Sequence, residues 1–473
     1  GVRVPKQLRP LSGLDAGFLY LEAAGTPMHV GSLMWLDPPR RRGFDFRRTL
    51  IDLLAERLPR TPALRRVLRE APLDLGHPVW QEVPEIDPAD HVLARRLPQP
   101  GSERRLFSLV ARLHAQPLNR DRPLWQFVVI EGLASAQVAL YSRIHHAVLD
   151  GQGGIALAQA LLDLSPLRPE SRSRTRSAAT SAPDAIELAR TSARASASQL
   201  MKLLRSLPPV LRVAARAGGG GSLRERIGRV RHSVVLAPRS PFNAQVGERR
   251  SLACLNLPLE DLKSVARAHG ASLNDVVMAL CAGALRIHLQ ERRALPAQAL
   301  IAAMPVSLRA AGDGEINNHV SMVQCRLPTD LDDAAARIAA VRRSTSEIKQ
   351  QVAQLRGLIP TDFPGIAAPL WARGLAKFWA RARLAERLPV LANVVISNVP
   401  GPPVPLYLAG ARVARYAPLS IVTHGLGLNI TVQSYVDRLE VGIVACRDAL
   451  PRPEALIRAL SQSFDALKES VPE

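Results

Sequence analysis

Between residue 165 and about residue 245 the chain drops the apolar and polar periodicity that it shows on either side. This stretch carries Ser-Arg-Ser-Arg-Thr-Arg-Ser at 171–177, four consecutive glycines at 218–221 and Pro-Arg-Ser-Pro at 238–241. That is the composition of a connector. The interruption leaves two blocks, 1–164 and 246–473, each of which must bury its own apolar surface. At 473 residues the chain exceeds what a single core usually serves, so two lobes with a binding site at their junction are expected.

Both blocks read as mixed α/β. In the first, the patterns predict strands at Met28–Leu36, Gln126–Glu131 and Gln137–His146, with helices at Arg47–Glu56 and Ile155–Leu164. In the second they predict strands at Leu252–Leu257, Ala299–Val306, Val320–Leu327, Val394–Asn398, Leu428–Tyr435 and Leu439–Ala445. Helices are expected at Leu259–Ala268 and Ser272–Leu289. No internal repeat of solenoid period is present.

A net charge of +21 calls for an anionic partner: nucleic acid, an anionic lipid surface or an acidic ligand such as the CoA nucleotide. Residues 165–250 hold sixteen arginines and one lysine against five acids, so +12 of the excess lies in that one segment. It has almost no aromatics and no groove-reading motif, which argues against nucleic acid. Within it Leu200, Leu203, Leu204, Leu207 and Leu211 recur near helical spacing among Lys202, Arg205 and Arg212, before and across Pro208-Pro209. Such a stretch either rests on a lipid surface or packs on the protein itself.

Cys254, Cys281, Cys325 and Cys446 are widely spaced without metal-ligand patterns and read as buried free thiols. That usage, and first residues lacking a signal-peptide apolar core, lead to an expected cytoplasmic location. No run nears the roughly 18–20 apolar residues of a membrane span, so membrane contact is expected to be peripheral.

Chemistry is concentrated in His145-His146-Ala-Val-Leu-Asp150-Gly151, at the end of a strand and before a glycine-rich turn. Transfer of an acyl group from a thioester to an alcohol starts with a good leaving group, so the alcohol's need is a base. An imidazole suits that task. Neighbouring residues on a strand point to opposite faces, so the two histidines do not share one substrate or one metal, and no metal is expected. His146 is the candidate base; Asp150 supports the turn or a ring nitrogen, and Gly151 permits positive φ.

The run Ile-His-His-Ala-Val-Leu-Asp-Gly resembles the motif of the CoA-dependent acyltransferase superfamily. Pro10-Leu-Ser-Gly-Leu-Asp-Ala-Gly-Phe18-Leu, Arg122-Pro123-Leu124-Trp125, Leu273-Asn274-Asp275-Val-Val, Pro305-Val-Ser307-Leu-Arg309 and Asn398-Val-Pro-Gly-Pro402 resemble bacterial wax ester synthase/acyl-CoA:diacylglycerol acyltransferases, in order and over almost the whole chain. Gly13 and the long arginine-rich connector depart from that pattern.

The resemblance implies two chloramphenicol-acetyltransferase-like lobes with a tunnel at their interface, acyl-CoA as co-substrate, and diacylglycerol or a long-chain alcohol as acceptor. It makes His146 the base, with His145 in support. Asn274 either orients the site or donates to an oxyanion, or, with Asp275, only caps a helix. Pro123-Leu124-Trp125 reads first as a rigid turn with an aromatic anchor, and second as tunnel wall. His319 and His424 are given no role. A silent lipid binder would be expected to have lost the base, and neither a serine-hydrolase elbow, a P-loop nor a dinucleotide fingerprint is present. The remaining alternative is a related enzyme that takes its acyl group from a carrier protein to esterify a complex lipid.

Overall fold

The computed structural model describes residues 8–11, 13–23, 25–70, 78–149, 158, 161–166, 235–307, 320–355 and 383–471. In chain order the first block forms β1 (Leu8–Pro10), α1 (Gly13–Leu21), β2 (His29–Asp37), α2 (Phe46–Arg57), β3 (Arg66–Arg69) and β4 (Val79–Glu82). It continues with β5 (Val92–Arg96), α3 (Glu103–His114), β6 (Trp125–Glu131), β7 (Val138–His145) and β8 (Leu162–Asp163). The second block opens with β9 (Arg250–Pro258), α4 (Leu259–Ala268), α5 (Leu273–Glu291), β10 (Leu300–Ser307), β11 (Val320–Leu327), α6 (Ala334–Leu355) and β12 (Val394–Val399). It closes with β13 (Tyr407–Leu408), β14 (Ala411–Leu419), β15 (Leu428–Tyr435), β16 (Arg438–Cys446) and α7 (Pro453–Glu469).

Helix starts follow local chemistry. Asp45 accepts from the Arg48 amide at the head of α2, and Ser102 from the Arg105 amide at the head of α3. Ser272 and Asp275 form a reciprocal capping box at the head of α5, and α7 begins with a proline whose missing N–H costs nothing there.

Among the described residues the strands build two large mixed sheets and one small antiparallel sheet, β1-β4-β3. The first large sheet runs β5-β6-β7-β2-β14-β13-β8, with β5 and β6 parallel and the other pairs antiparallel. The second runs β11-β10-β12-β15-β16-β9, with β12 parallel to both neighbours. Alternation along β2 sorts its side chains. Leu33 and Trp35 enter the core shared with α3 and the second sheet, while Met34 and Leu36 enter the core under α1 and α2.

The division of the chain at residue 245 does not carry over to the sheets. β13 and β14 come from the second block yet belong to the first sheet, where Leu419 pairs with Gly31 and Arg412 with Asp37. β16 passes so close to β14 that a Cβ at Gly442 would run into the Pro418 carbonyl, so glycine there lets the two sheets meet.

Most of the helix expected over 155–164 lies outside the described residues. Its described end forms β8 instead, because Leu162 and Asp163 pair with β13 and the Asp163 carboxylate is held by Arg57 at 2.7 Å. All four cysteines are free and buried.

Among the described residues no single helix is long and apolar enough to cross a membrane. α4 and α5 reach that composition only together, bent by 100°, and the face-to-face burial of α5 from Val276 to Leu285 places it in the core.

Candidate active site

β7 ends at His145, and His146–Val148 form a single 3-10 turn. The turn separates the two histidines. His145 stays in the sheet, fully buried, in register with His29 on β2, whereas His146 leaves it and keeps part of its surface open.

Backbone bonds fix the junction from both sides. The His145 amide donates to the Leu124 carbonyl at 2.9 Å, and the His146 amide donates to the Met28 carbonyl at 2.8 Å. The Pro123-Leu124-Trp125 segment therefore holds the end of the histidine strand. Its indole is buried, stacks on His91 at 4.2 Å and donates Nε1–H to the Leu64 carbonyl at 2.8 Å.

His145 Nδ1 accepts the Ala147 amide at 3.1 Å, which places its proton on Nε2. That nitrogen lies 3.2 Å from Glu22 Oε2, a close electrostatic contact that is not aligned as a full hydrogen bond. Glu22 also accepts the Met28 amide at 2.9 Å and is bound by Arg120 at 3.0 Å. Burial alone would raise the Glu22 carboxyl. The His145, Met28 and Arg120 contacts outweigh it and hold the group at about 2. Glu22 was not recognised from sequence.

The His146 ring stacks on Phe18 of α1 at 3.9 Å with an interplanar angle of 22°. Burial, and secondly the neighbouring His145, push its pKa down to about 4. The ring is therefore neutral at pH 7 and able to take a proton. Its Nδ1 is buried and lacks a partner among the described residues. Asp150 and Gly151, the expected supports, lie outside the described residues, as do the basic stretch 200–211 and His319.

Behind His145 the inter-sheet side holds more imidazole. His29 is buried, neither ring nitrogen has a hydrogen-bond partner among the described residues, and the ring meets His114 edge-on at 4.7 Å. His114 is held by the Tyr141 hydroxyl at 2.7 Å and the Ser420 carbonyl at 2.9 Å.

Asn274 and Asp275 take different parts. Asp275 is buried, closes the capping box and accepts the Thr345 hydroxyl at 2.6 Å, which is a structural role. Asn274 Oδ1 meets Asn398 Nδ2 at 3.5 Å, and its own amide nitrogen lies 3.8 Å from the Met304 sulfur. The asparagine of Asn398-Val-Pro-Gly-Pro is thus brought to the asparagine of the α5 start. Among the described residues neither bonds to the histidines. His424 Nδ1 accepts the Val246 amide at 3.1 Å, a structural contact.

A two-lobed mixed α/β body with this histidine turn defines an acyltransferase of the two-lobe type. Residues 11–277 match the wax ester synthase/diacylglycerol acyltransferase catalytic domain, and residues 316–468 match the WS/DGAT C-terminal domain. The chain belongs to the wax ester synthase/diacylglycerol acyltransferase family.

Among its relatives is a Mycobacterium tuberculosis protein bearing a diacylglycerol O-acyltransferase name, 36% identical over 464 residues, 98% of this chain and 100% of the relative. The O-acyltransferase WSD of Acinetobacter baylyi is 31% identical over 466 residues, 97% of this chain and 96% of its own. The solved wax ester synthase/diacylglycerol acyltransferase from Marinobacter aquaeolei VT8 superposes with a TM-score of 0.69 at 30% identity, covering 98% of this chain and 99% of that one.

Proposed function

We propose that this chain moves a long-chain acyl group from acyl-CoA to diacylglycerol, a long-chain alcohol, or both, giving triacylglycerol or wax ester, with His146 as general base. The observation that carries the reading is a partly open imidazole at the strand end, stacked on Phe18 and backed by the buried His145–Glu22 pair. The names of the relatives supply the acceptor class.

The acceptor hydroxyl gives its proton to His146 as its oxygen attacks the thioester carbonyl. The tetrahedral adduct expels the CoA thiolate, which takes that proton back, so ester and free thiol form and the imidazole returns to neutral. The substrates meet in a tunnel between the sheets. Asn274, paired with Asn398, orients that wall of the site.

The protein works in the cytoplasm at an anionic membrane or lipid-droplet surface, reached through the arginine-rich connector. Neutralising the arginines of 190–216 is expected to weaken sedimentation with anionic vesicles while leaving turnover of soluble acceptors unchanged. Equal vesicle binding removes the surface role.

The reaction itself is tested with labelled palmitoyl-CoA offered together with hexadecanol and dipalmitoylglycerol, the products being resolved. Labelled ester from either acceptor is expected. Transfer only from an acyl-carrier donor overturns the reading.

A further inference from the structure

A groove of roughly 800 Å³ lies on the side of the first sheet away from α1, between α3 and the residue that follows β16. Five arginines line it: Arg95 and Arg96 at the end of β5, Arg105 and Arg112 on α3, and Arg447 from the second block. Among the described residues no acidic side chain lines it, and Glu131, outside the lining, answers Arg96 at 3.2 Å.

Arg105 Nη1 is held by the Pro98 and Gln99 carbonyls, which fix its direction without neutralising it. Arg112 and Arg447 are exposed, and their guanidiniums have no hydrogen bond or ion pair among the described residues. A concave site with several uncompensated guanidiniums suits a compact ligand with more than one phosphate better than it suits a flat bilayer.

The groove is joined to the histidine strand. Leu113 and Gln116 line it, and both their carbonyls accept Arg143 Nη1, at 2.6 and 2.5 Å, two residues before His145 on β7. His114, between them in sequence, meets His29, the register partner of His145.

We propose that this groove holds the phosphates of the acyl donor, the nucleotide pyrophosphate and 3′-phosphate of CoA, so that the donor approaches the site from the α3 side. This rests on the acyl-CoA reading above and adds the residues that select for the nucleotide end. Arg112 and Arg447, one from each block, are the assigned contacts.

The test uses the full chain and the double variant Arg112→Ala/Arg447→Ala, with Arg112→Lys/Arg447→Lys keeping the charge. Calorimetry with 3′-phosphoadenosine 5′-diphosphate reads the groove without needing turnover. Binding is expected to weaken by on the order of tenfold or more in the alanine variant and less in the lysine variant. The KM for palmitoyl-CoA rises in parallel, while that for palmitoyl-pantetheine, which lacks the nucleotide, stays at the wild-type value. Equal nucleotide binding by wild type and alanine variant overturns the proposal, as does loss of phosphatidylglycerol-vesicle binding alone, which assigns the groove to lipid. A wild type that binds the nucleotide but transfers no acyl group from CoA overturns the activity and leaves the groove standing.

Discussion

Glu22 Oε2 lies 3.2 Å from His145 Nε2, and the same carboxylate holds the Met28 amide, whose carbonyl accepts the His146 N–H. One buried acid therefore fixes the ring of the first histidine and, through a single residue, Met28, the backbone of the second. Glu22→Gln keeps the shape but removes the charge that faces Arg120 and His145. It is expected to lower stability by about 1–3 kcal/mol, as loss of one buried polar partner does. It should also lower kcat with KM nearly constant, because it disturbs the base and leaves substrate contacts alone. Melting and steady-state kinetics check this; an unchanged kcat removes Glu22 from the positioning role.

His146→Ala should leave the fold in place, since the ring is partly open and its main contact is one stacked face. Turnover should fall by a factor on the order of 10² or more, the usual cost of losing a general base. A folded variant with near-normal turnover rules His146 out.

The histidine turn was legible because its residue types are rare together and because a short apolar strand run, Val138–Ile144, led directly into it. Glu22 carried no comparable signal. Its partner His145 lies far along the chain, and a lone glutamate after an apolar helix reads as a solvated end. Phe18 stood in the sequence only as part of the Pro10–Leu19 run, and nothing local there pairs it with His146. The helices α4 and α5 and strands β11 and β15 were visible to the residue, or nearly so, because capping and alternation are local. β14 was not. Its pairing with β2 is decided by long-range packing over Gly442, and Arg415 and Pro418 break the alternation that would have marked it as a strand.

Phe18 covers one face of the His146 ring and helps keep it out of water. Phe18→Ala should let water reach the imidazole, so the pKa of His146 rises from about 4 toward its ordinary 6.5. The acid limb of kcat/KM moves to higher pH by the same shift, and kcat falls by roughly tenfold as the ring gains freedom. Phe18→Tyr keeps the stacked face and should keep the wild-type profile. A pH–rate profile for each variant decides the matter, and an acid limb that stays where it is in Phe18→Ala removes the shielding role.

The buried imidazoles also set how the fold responds to acid. His29 is lowered well below the ordinary range and His114 to about 4, in both cases by burial first. The unfolded chain binds protons at these positions near pH 6.5, and the folded chain does not until far lower pH. Between those limits the unfolded state holds more protons, so stability falls as pH falls through the window. Each such histidine contributes a slope of about 1.4 kcal/mol per pH unit. Glu22, held at about 2, adds loss below its ordinary 4.5 as its carboxylate contacts are protonated away. Denaturant midpoints at pH 7.5, 6.0 and 5.0 should therefore drop progressively. His114→Gln, which keeps a polar side chain without a titrating ring, should flatten the slope by about one histidine's share. A midpoint constant from pH 7.5 to 5.0 would show that these rings charge as readily in the folded protein as in the unfolded chain.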